Sequence, residues 1–248
     1  MPRPFLNIST LTFLSLALLL NPARAAETPA IPAHPAAAFE VLSLEDMVPA
    51  RLLPPPPERG SIQDGLDLAA VEKIYHERTA ERGQKAAWDD QHEDVSLFSE
   101  TLGPDFRLTA SPKTAALIAL VQHEQSVAAT LAKRRFQRLR PWGEDPDIHP
   151  CDYKSNANPY TSYPSGHATV GYALATLLGT LLPDRAEQLQ ARAADYAYSR
   201  MVCGDHFPSD LEASHALGII VTMKVLQTPT GRDMLRDALA EIASAKRN

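Results

Sequence analysis

From Ile62 to the C-terminus, apolar residues recur every three or four positions, and almost no stretch alternates as a half-buried strand would. This periodicity confines the chain to packed helices, because each helix carries an apolar stripe that another element must cover. Leu66, Ala70, Ile74 and Tyr75 mark a first helix over about 62–87. Ser111-Pro112 opens a second, with the serine as cap and the proline in the first turn; Leu117, Leu120, Val121, Val127 and Leu131 carry it toward Leu139, and Pro141 stops it. A third, strongly apolar, runs from about Ser165 to Leu182. Pro183-Asp184 breaks and recaps the chain, with Glu187 in the capping-box position. Further helices are predicted to about Val202, over Pro208–Gln227 and over Arg232–Ala245. Between the second and third lies Trp142–Tyr163, about twenty irregular residues, a length that often carries function inside a compact domain. The predicted fold class is all-α, a single-domain helical bundle over 61–248.

Two segments precede the bundle. Residues 1–25 combine an early cation, Arg3, an apolar core from Leu11 to Leu20 and the small-x-small site Ala23-Arg24-Ala25, and so read as a cleaved secretory signal peptide. The apolar core is shorter than the about 20 residues that cross ~30 Å of hydrocarbon, and no later segment is longer, so no membrane anchor is expected. Residues 26–60, rich in Pro and Ala with Pro54-Pro-Pro-Pro57, read as an extended, polyproline-like arm. Cleavage would remove Arg3 and Arg24 but no acid. The 24 basic residues become 22 against 30 acidic ones, which opposes general nucleic-acid binding, since that needs a basic face. The two cysteines, Cys151 and Cys203, suggest one disulfide in an exported chain, with two buried free thiols as the alternative. The expected location is periplasmic or secreted.

Three polar clusters sit at predicted helix ends, and each has a plain explanation by itself. Lys133-Arg-Arg-Phe-Gln-Arg-Leu-Arg140-Pro141 places Lys133 and Arg140 two turns apart, on one face if the helix persists; a cationic helix face is usually just solvated. In Pro164-Ser-Gly-His167, Ser165 is placed to cap the following helix and Gly166 lets a ligand approach the backbone. The helix N-terminus there offers unpaired N–H groups to an anion, and His167 stands in its first turn, where it could equally be incidental. In Ser199-Arg200 through His206 to Asp210, a carboxylate four residues past a histidine can fix its tautomer and leave the other ring nitrogen free, although such pairs are more often structural. Asp147-Ile-His149-Pro-Cys151 looks superficially like a metal cluster, but it falls in a turn-rich loop and a bridged cysteine cannot ligate.

Taken together, the order Lys-x6-Arg-Pro, Pro-Ser-Gly-His and Ser-Arg-x5-His-x3-Asp resembles the type 2 phosphatidic acid phosphatase superfamily. Within it the chain is similar to the class A bacterial non-specific acid phosphatases, through "LLPPPP" at Leu52–Pro57, "ERGQKAA" at Glu81–Ala87, "SYPSGHAT" at Ser162–Thr169 and "SRMVCGDHFPSD" at Ser199–Asp210. The resemblance implies an exported acid phosphatase acting on a broad range of phosphate monoesters. It makes His206 the nucleophile that forms a phosphohistidine, His167 the acid for the leaving alcohol and Asp210 the group that orients His206. Lys133, Arg140, Ser165, Gly166 and Arg200 become the phosphate clamp. Side-chain cations leave no need for a metal or cofactor, and the expected partners are small phosphate monoesters, with neither nucleic acid nor membrane; the resemblance also favours a homodimer. A protonated His167 beside a neutral His206 implies an acidic pH optimum. The rival functions are a vanadate-dependent haloperoxidase, whose pocket resembles this one, an integral lipid phosphatase, which the expected lack of transmembrane spans opposes, and a non-enzymatic phosphate-binding module. The chain departs from the class at Trp142, where Phe is usual, at Asp205, where a small residue is usual, and at Phe207-Pro208, in place of Trp-Gln.

Overall fold

Helices account for the regular structure of the computed structural model, which describes residue 1, residues 38–104, 106, 111–152 and 157–245 and has no strand among them. Apart from Met1, the expected signal peptide lies outside the described residues, as does the arm before residue 38. No helix among the described residues is long and apolar enough to cross a membrane.

The predicted first helix is two. α2 (Ile62–Glu77) is capped by Ser61 and α3 (Ala80–Asp90) by Thr79, whose Oγ1 accepts from Arg82 N at 3.1 Å. The apolar pattern continues through the break, but Arg78 is extended and Thr79 restarts the hydrogen-bond ladder. Before them α1 (Pro49–Leu52) makes one short turn in the described part of the arm. The arm's backbone lies on the bundle: N–H groups of Glu40, Val41 and Leu42 all donate to the buried Glu124, and Met47 and Leu53 plug into the core. After a 3₁₀ turn at Val95–Phe98 comes α4 (Ser99–Leu102).

α5 (Pro112–Phe136) begins where expected, but Ser111 makes no side-chain cap. The carboxylate of Glu241 on the last helix accepts from Lys113 N and Thr114 N at 3.0 and 2.8 Å, satisfying first-turn donors from 128 and 127 residues away. Its C-terminus differs too: Gln137 enters the left-handed region (φ 48°) and its N–H caps Lys133 O, so the helix ends at Phe136, five residues before Pro141. Pro141 instead starts α6 (Pro141–Glu144), inside the stretch predicted to be irregular.

α7 (Gly166–Leu181) is the central helix, buried at Ala168, Val170, Ala173, Leu174, Leu177 and Leu178, and packed on all sides. Its neighbours are α5, α8 (Ala186–Val202), α9 (Pro208–Gln227) and α10 (Pro229–Ala245). Gly218 on α9 brings it close to α7, since a Cβ there would lie 2.7 Å from Thr169 O. Pro183–Arg185 forms a 3₁₀ turn before α8, and no side-chain cap forms at Arg185, so the expected capping box is absent. α10 begins three residues earlier than expected. With its N-terminus anchored in this core, α7 presents Ser165, Gly166 and His167 from a rigid base.

Candidate active site

Four pieces of backbone converge on the N-terminus of α7: the end of α5 with the reversal after it, the residues before α7, the turn from α8 to α9, and the end of α3. Because α5 stops at Phe136, Lys133 and Arg140 do not share a helix face. The chain instead doubles back. Arg140 N donates to Pro159 O at 2.8 Å and Ser162 N to Arg138 O at 3.1 Å, laying 138–140 beside 159–162. Thr161 then joins the two cations: Lys133 Nζ donates to its carbonyl at 2.6 Å and Arg140 Nε to its hydroxyl at 3.2 Å.

His206 is buried, with Nδ1 2.8 Å from Ser162 O. A carbonyl only accepts, so Nδ1 carries the hydrogen and Nε2 keeps its lone pair. The group expected to orient this ring was Asp210, but its nearest oxygen is 3.5 Å away. Asp210 acts one step behind, accepting from Ser162 Oγ at 2.5 Å, Phe207 N at 2.9 Å and Arg138 Nη1 at 2.8 Å. Arg138 in turn reaches Asp67 at 2.8 Å and Asp64 at 3.3 Å on α2, and its guanidinium lies over the Phe207 ring. Burial raises the Asp210 carboxyl despite these donors. Burial, then Arg140 and Lys133, holds His206 well below the usual imidazole range, so the ring is neutral.

His167 sits at the cavity wall. Its Nε2 is 3.1 Å from Asp90 O and 3.9 Å from Glu93 Oε2, and its side chain is 21 % exposed. Burial and then Arg200 hold it, too, well below the usual range. Ser165 caps α7, its Oγ accepting from Ala168 N at 3.2 Å. The space beside Gly166 opens between Glu93 Oε1 and Lys133 Cε, 3.4 and 4.0 Å from where a Cβ would stand. Lys133 is pushed down to about 7, by burial first and Arg140 second. Arg200 is 2 % exposed; its Nη2 donates to Asp205 at 2.7 Å and lies 2.6 Å from Asp90, while Nε and Nη1 have no partner among the described residues. The two carboxylates outweigh burial and raise its already high pKa.

Arg140, His167 and Arg200 line one cavity of about 290 Å³, together with Asp90, Trp142, Thr161 and Asp205. Lys133, Gly166, His206, Ser165 and Asp210 do not line it but are joined to its rim: Lys133 through Thr161, His206 and Asp210 through Ser162, Ser165 and Gly166 through the first turn that carries His167. The cations and His206 act on one another electrostatically. A larger cavity of about 630 Å³ near Val95–Phe106 has Glu100 as its one ionisable lining residue among the described residues. Cys151 and Cys203 are bridged, tying the loop at Pro150–Asp152 on the cavity rim to the turn before His206. Among the described residues no group of three or more His, Cys, Asp and Glu is placed to hold a metal ion. Arg138, Ser162, Asp90 and Glu93 were not read from the sequence. Arg138 hid in a basic run, and the contacts of Ser162 and Asp90 with the two histidines are made by backbone carbonyls that have no sequence signature.

The profile of the PAP2 superfamily matches residues 114–233, which hold every residue of the three motifs and nearly all of α5 through α9. A non-specific acid phosphatase of Providencia stuartii is 31 % identical over 204 residues, covering 79 % of this chain and 81 % of its own. One from Salmonella typhimurium is 29 % identical over 199 residues, covering 77 % and 78 %. The crystal structure of a transmembrane PAP2-type phosphatidylglycerolphosphate phosphatase from Bacillus subtilis superposes with a TM-score of 0.54 at 16 % identity, over 77 % of this chain and 92 % of that one, a likeness of fold. The chain therefore belongs to the PAP2 superfamily and, within it, to the non-specific acid phosphatases.

Proposed function

We propose that this phosphoric monoester hydrolase works through a phosphohistidine on His206, without a metal, on a broad range of monoesters. The observation that carries the reading is Arg200. A guanidinium 2 % exposed with two nitrogens unpartnered is costly unless an anion completes it. Lys133 and Arg140 bring two further cations, Ser165 a hydroxyl and Gly166 a backbone N–H at a helix N-terminus. Together they suit three equatorial phosphoryl oxygens.

In the first step the Nε2 lone pair of His206 attacks phosphorus, forming the P–N bond as the ester P–O bond breaks. The electron pair leaves with the alcohol oxygen, which takes a proton from His167. Asp90 O engages Nε2 of that ring, so Nδ1 is the position that delivers the proton. In the second step His167, now neutral, takes a proton from water as its oxygen attacks phosphorus. The P–N bond breaks and returns the lone pair to His206. The polar contacts concentrate on the phosphoryl group shared by all monoesters, which supports broad specificity. The Cys151–Cys203 bridge supports export, because disulfides persist in oxidising compartments.

The test is hydrolysis of a chromogenic phosphate monoester with EDTA present, with acid-labile phosphoprotein trapped by rapid quench. Full activity in EDTA and a trapped adduct mapped to His206 are expected. Activity lost to EDTA and restored by a divalent ion, or an adduct on another residue, would overturn the reading.

A further inference from the structure

Asp205 is buried, and its carboxylate is wedged between two clamp cations. Its Oδ1 accepts from Arg140 Nη1 at 3.2 Å and its Oδ2 from Arg200 Nη2 at 2.7 Å. The same Nη2 reaches Asp90 Oδ1 at 2.6 Å, so one nitrogen serves two carboxylates. The turn that carries Asp205 is held firmly. Gly204 has φ +69°, and a Cβ there would lie 2.3 Å from Ile148 Cγ2; Cys203 is bridged to Cys151; and Asp205 N donates to Arg200 O at 3.0 Å. The carboxylate is thus a fixed part of the clamp.

The charges facing it can be balanced. Lys133, Arg140 and Arg200 bring three positive charges, and Asp205 and Asp90, bonded to two of those cations, bring two negative ones. Glu93 is half exposed and partly offsets Lys133. His206 is a neutral ring, His167 gains charge only with the proton it passes to the leaving group, and Asp210 is held by Arg138. These side chains together meet the ligand with no more than about one net positive charge.

We propose that Asp205 is a specificity-determining residue that fits the clamp to a singly charged phosphoryl group, the monoanion of a monoester, over the dianion. The proposal rests on the phosphoryl-transfer reading above. A phosphate monoester loses its second proton near about pH 6, so the preferred form prevails in acid. Above that pH the dianion meets the Asp205 carboxylate with twice the charge.

Competitive inhibition of wild type and Asp205→Asn is measured at about pH 5 and about pH 8.5, well to either side of the second ionisation of inorganic phosphate, which lies somewhat above that of a monoester. The probes are inorganic phosphate, whose charge doubles between these values, and dimethyl phosphate, whose single charge stays fixed. If Asp205 repels each ligand charge equally, the gain for a dianion is the square of the gain for a monoanion. Asp205→Asn is expected to tighten dimethyl phosphate about threefold at both pH values, and inorganic phosphate about threefold in acid but about tenfold at the higher pH. Asp205→Ala, run alongside, must follow the same pattern. Weaker binding of both probes by both variants, or an equal change for inorganic phosphate at the two pH values, would overturn the proposal. A wild-type protein that inorganic phosphate does not inhibit at either pH would overturn the phosphoryl site itself, a separate failure.

Discussion

His206 and His167 look toward the same three cations from environments that share little. His206 is sealed. Its Nδ1 is bonded to Ser162 O, and behind Ser162 stand Asp210, Arg138 and the two α2 carboxylates, so the ring has one orientation and one tautomer. His167 has one carbonyl contact at 3.1 Å, a half-exposed carboxylate at 3.9 Å and access to the cavity. A nucleophile needs a fixed aim and a permanent lone pair, and burial supplies both. A group that gives and takes protons needs exchange with substrate and solvent, which burial would block. Both rings are depressed by burial first, but in the proposed mechanism only the second must regain its proton in each turnover.

The contrast is broken most severely at the sealed ring. His206→Ala should lower kcat by on the order of 10⁴ or more, because no bond to phosphorus can form, and the loss should be the same for every leaving group. His167→Ala should cost about 10² to 10⁴ with an alkyl phosphate, the usual share of general acid catalysis. The cost should shrink sharply with a nitrophenyl ester, whose leaving oxygen needs no proton. Steady-state kinetics on the two esters checks both, and an equal loss on each with His167→Ala would remove its role as acid. The pH dependence follows the same asymmetry. With the His167 ring below its usual range, the acid form is lost as pH rises through the acidic region, so kcat/KM should fall with increasing pH and peak below neutrality. Removing His167 should flatten that fall, whereas His206 stays neutral throughout and contributes none of it.

Much of this was legible because helix periodicity and termini are local properties. The buried stripe of α7, its Ser165 cap and the Pro208 start of α9 are each set by residues within a turn, and structure and sequence agree on them. The break at Thr79 was hidden because apolar residues keep helical spacing on both sides of it. The end of α5 was missed because Gln137 is left-handed without being glycine. The support for α5 by Glu241 and for the arm by Glu124 was illegible for another reason. A carboxylate that caps a backbone more than 80 positions away leaves no pattern in either segment. The candidate site residues were read from their order along the chain, but the group that touches His206 is a carbonyl, and any residue at 162 would supply one.

Arg138 tests whether the sealed environment matters beyond holding the fold. Arg138→Met leaves Asp64, Asp67 and Asp210 buried without their shared cation, which should cost about 3 to 5 kcal/mol in stability, read by chemical denaturation. A slackened Ser162–His206 contact should lower kcat by on the order of 10- to 100-fold with little change in KM. Burial already raises Asp210, and loss of the adjacent cation raises it further, so the acid limb of the rate profile should move to higher pH. Arg138→Lys should recover part of kcat and return that limb. Lost stability with an unmoved pH profile would reduce Arg138 to a structural residue.

The smallest effect belongs to the open side. Glu93 Oε2 lies 3.9 Å from His167 Nε2, and its half-exposed carboxylate favours the protonated ring only weakly, as exposed pairs do. In Glu93→Gln that help is gone, so the acid form of His167 should be lost at slightly lower pH. The alkaline limb of kcat/KM should shift down by roughly a few tenths of a pH unit, with kcat at the optimum changed about twofold or less. Because the Glu93 carboxylate is half exposed, the shift should shrink in high salt, where a contact sealed like that of Asp210 with Arg138 would persist. A large, salt-insensitive shift would place His167 in the same kind of enclosure as His206 and erase the difference between the two rings.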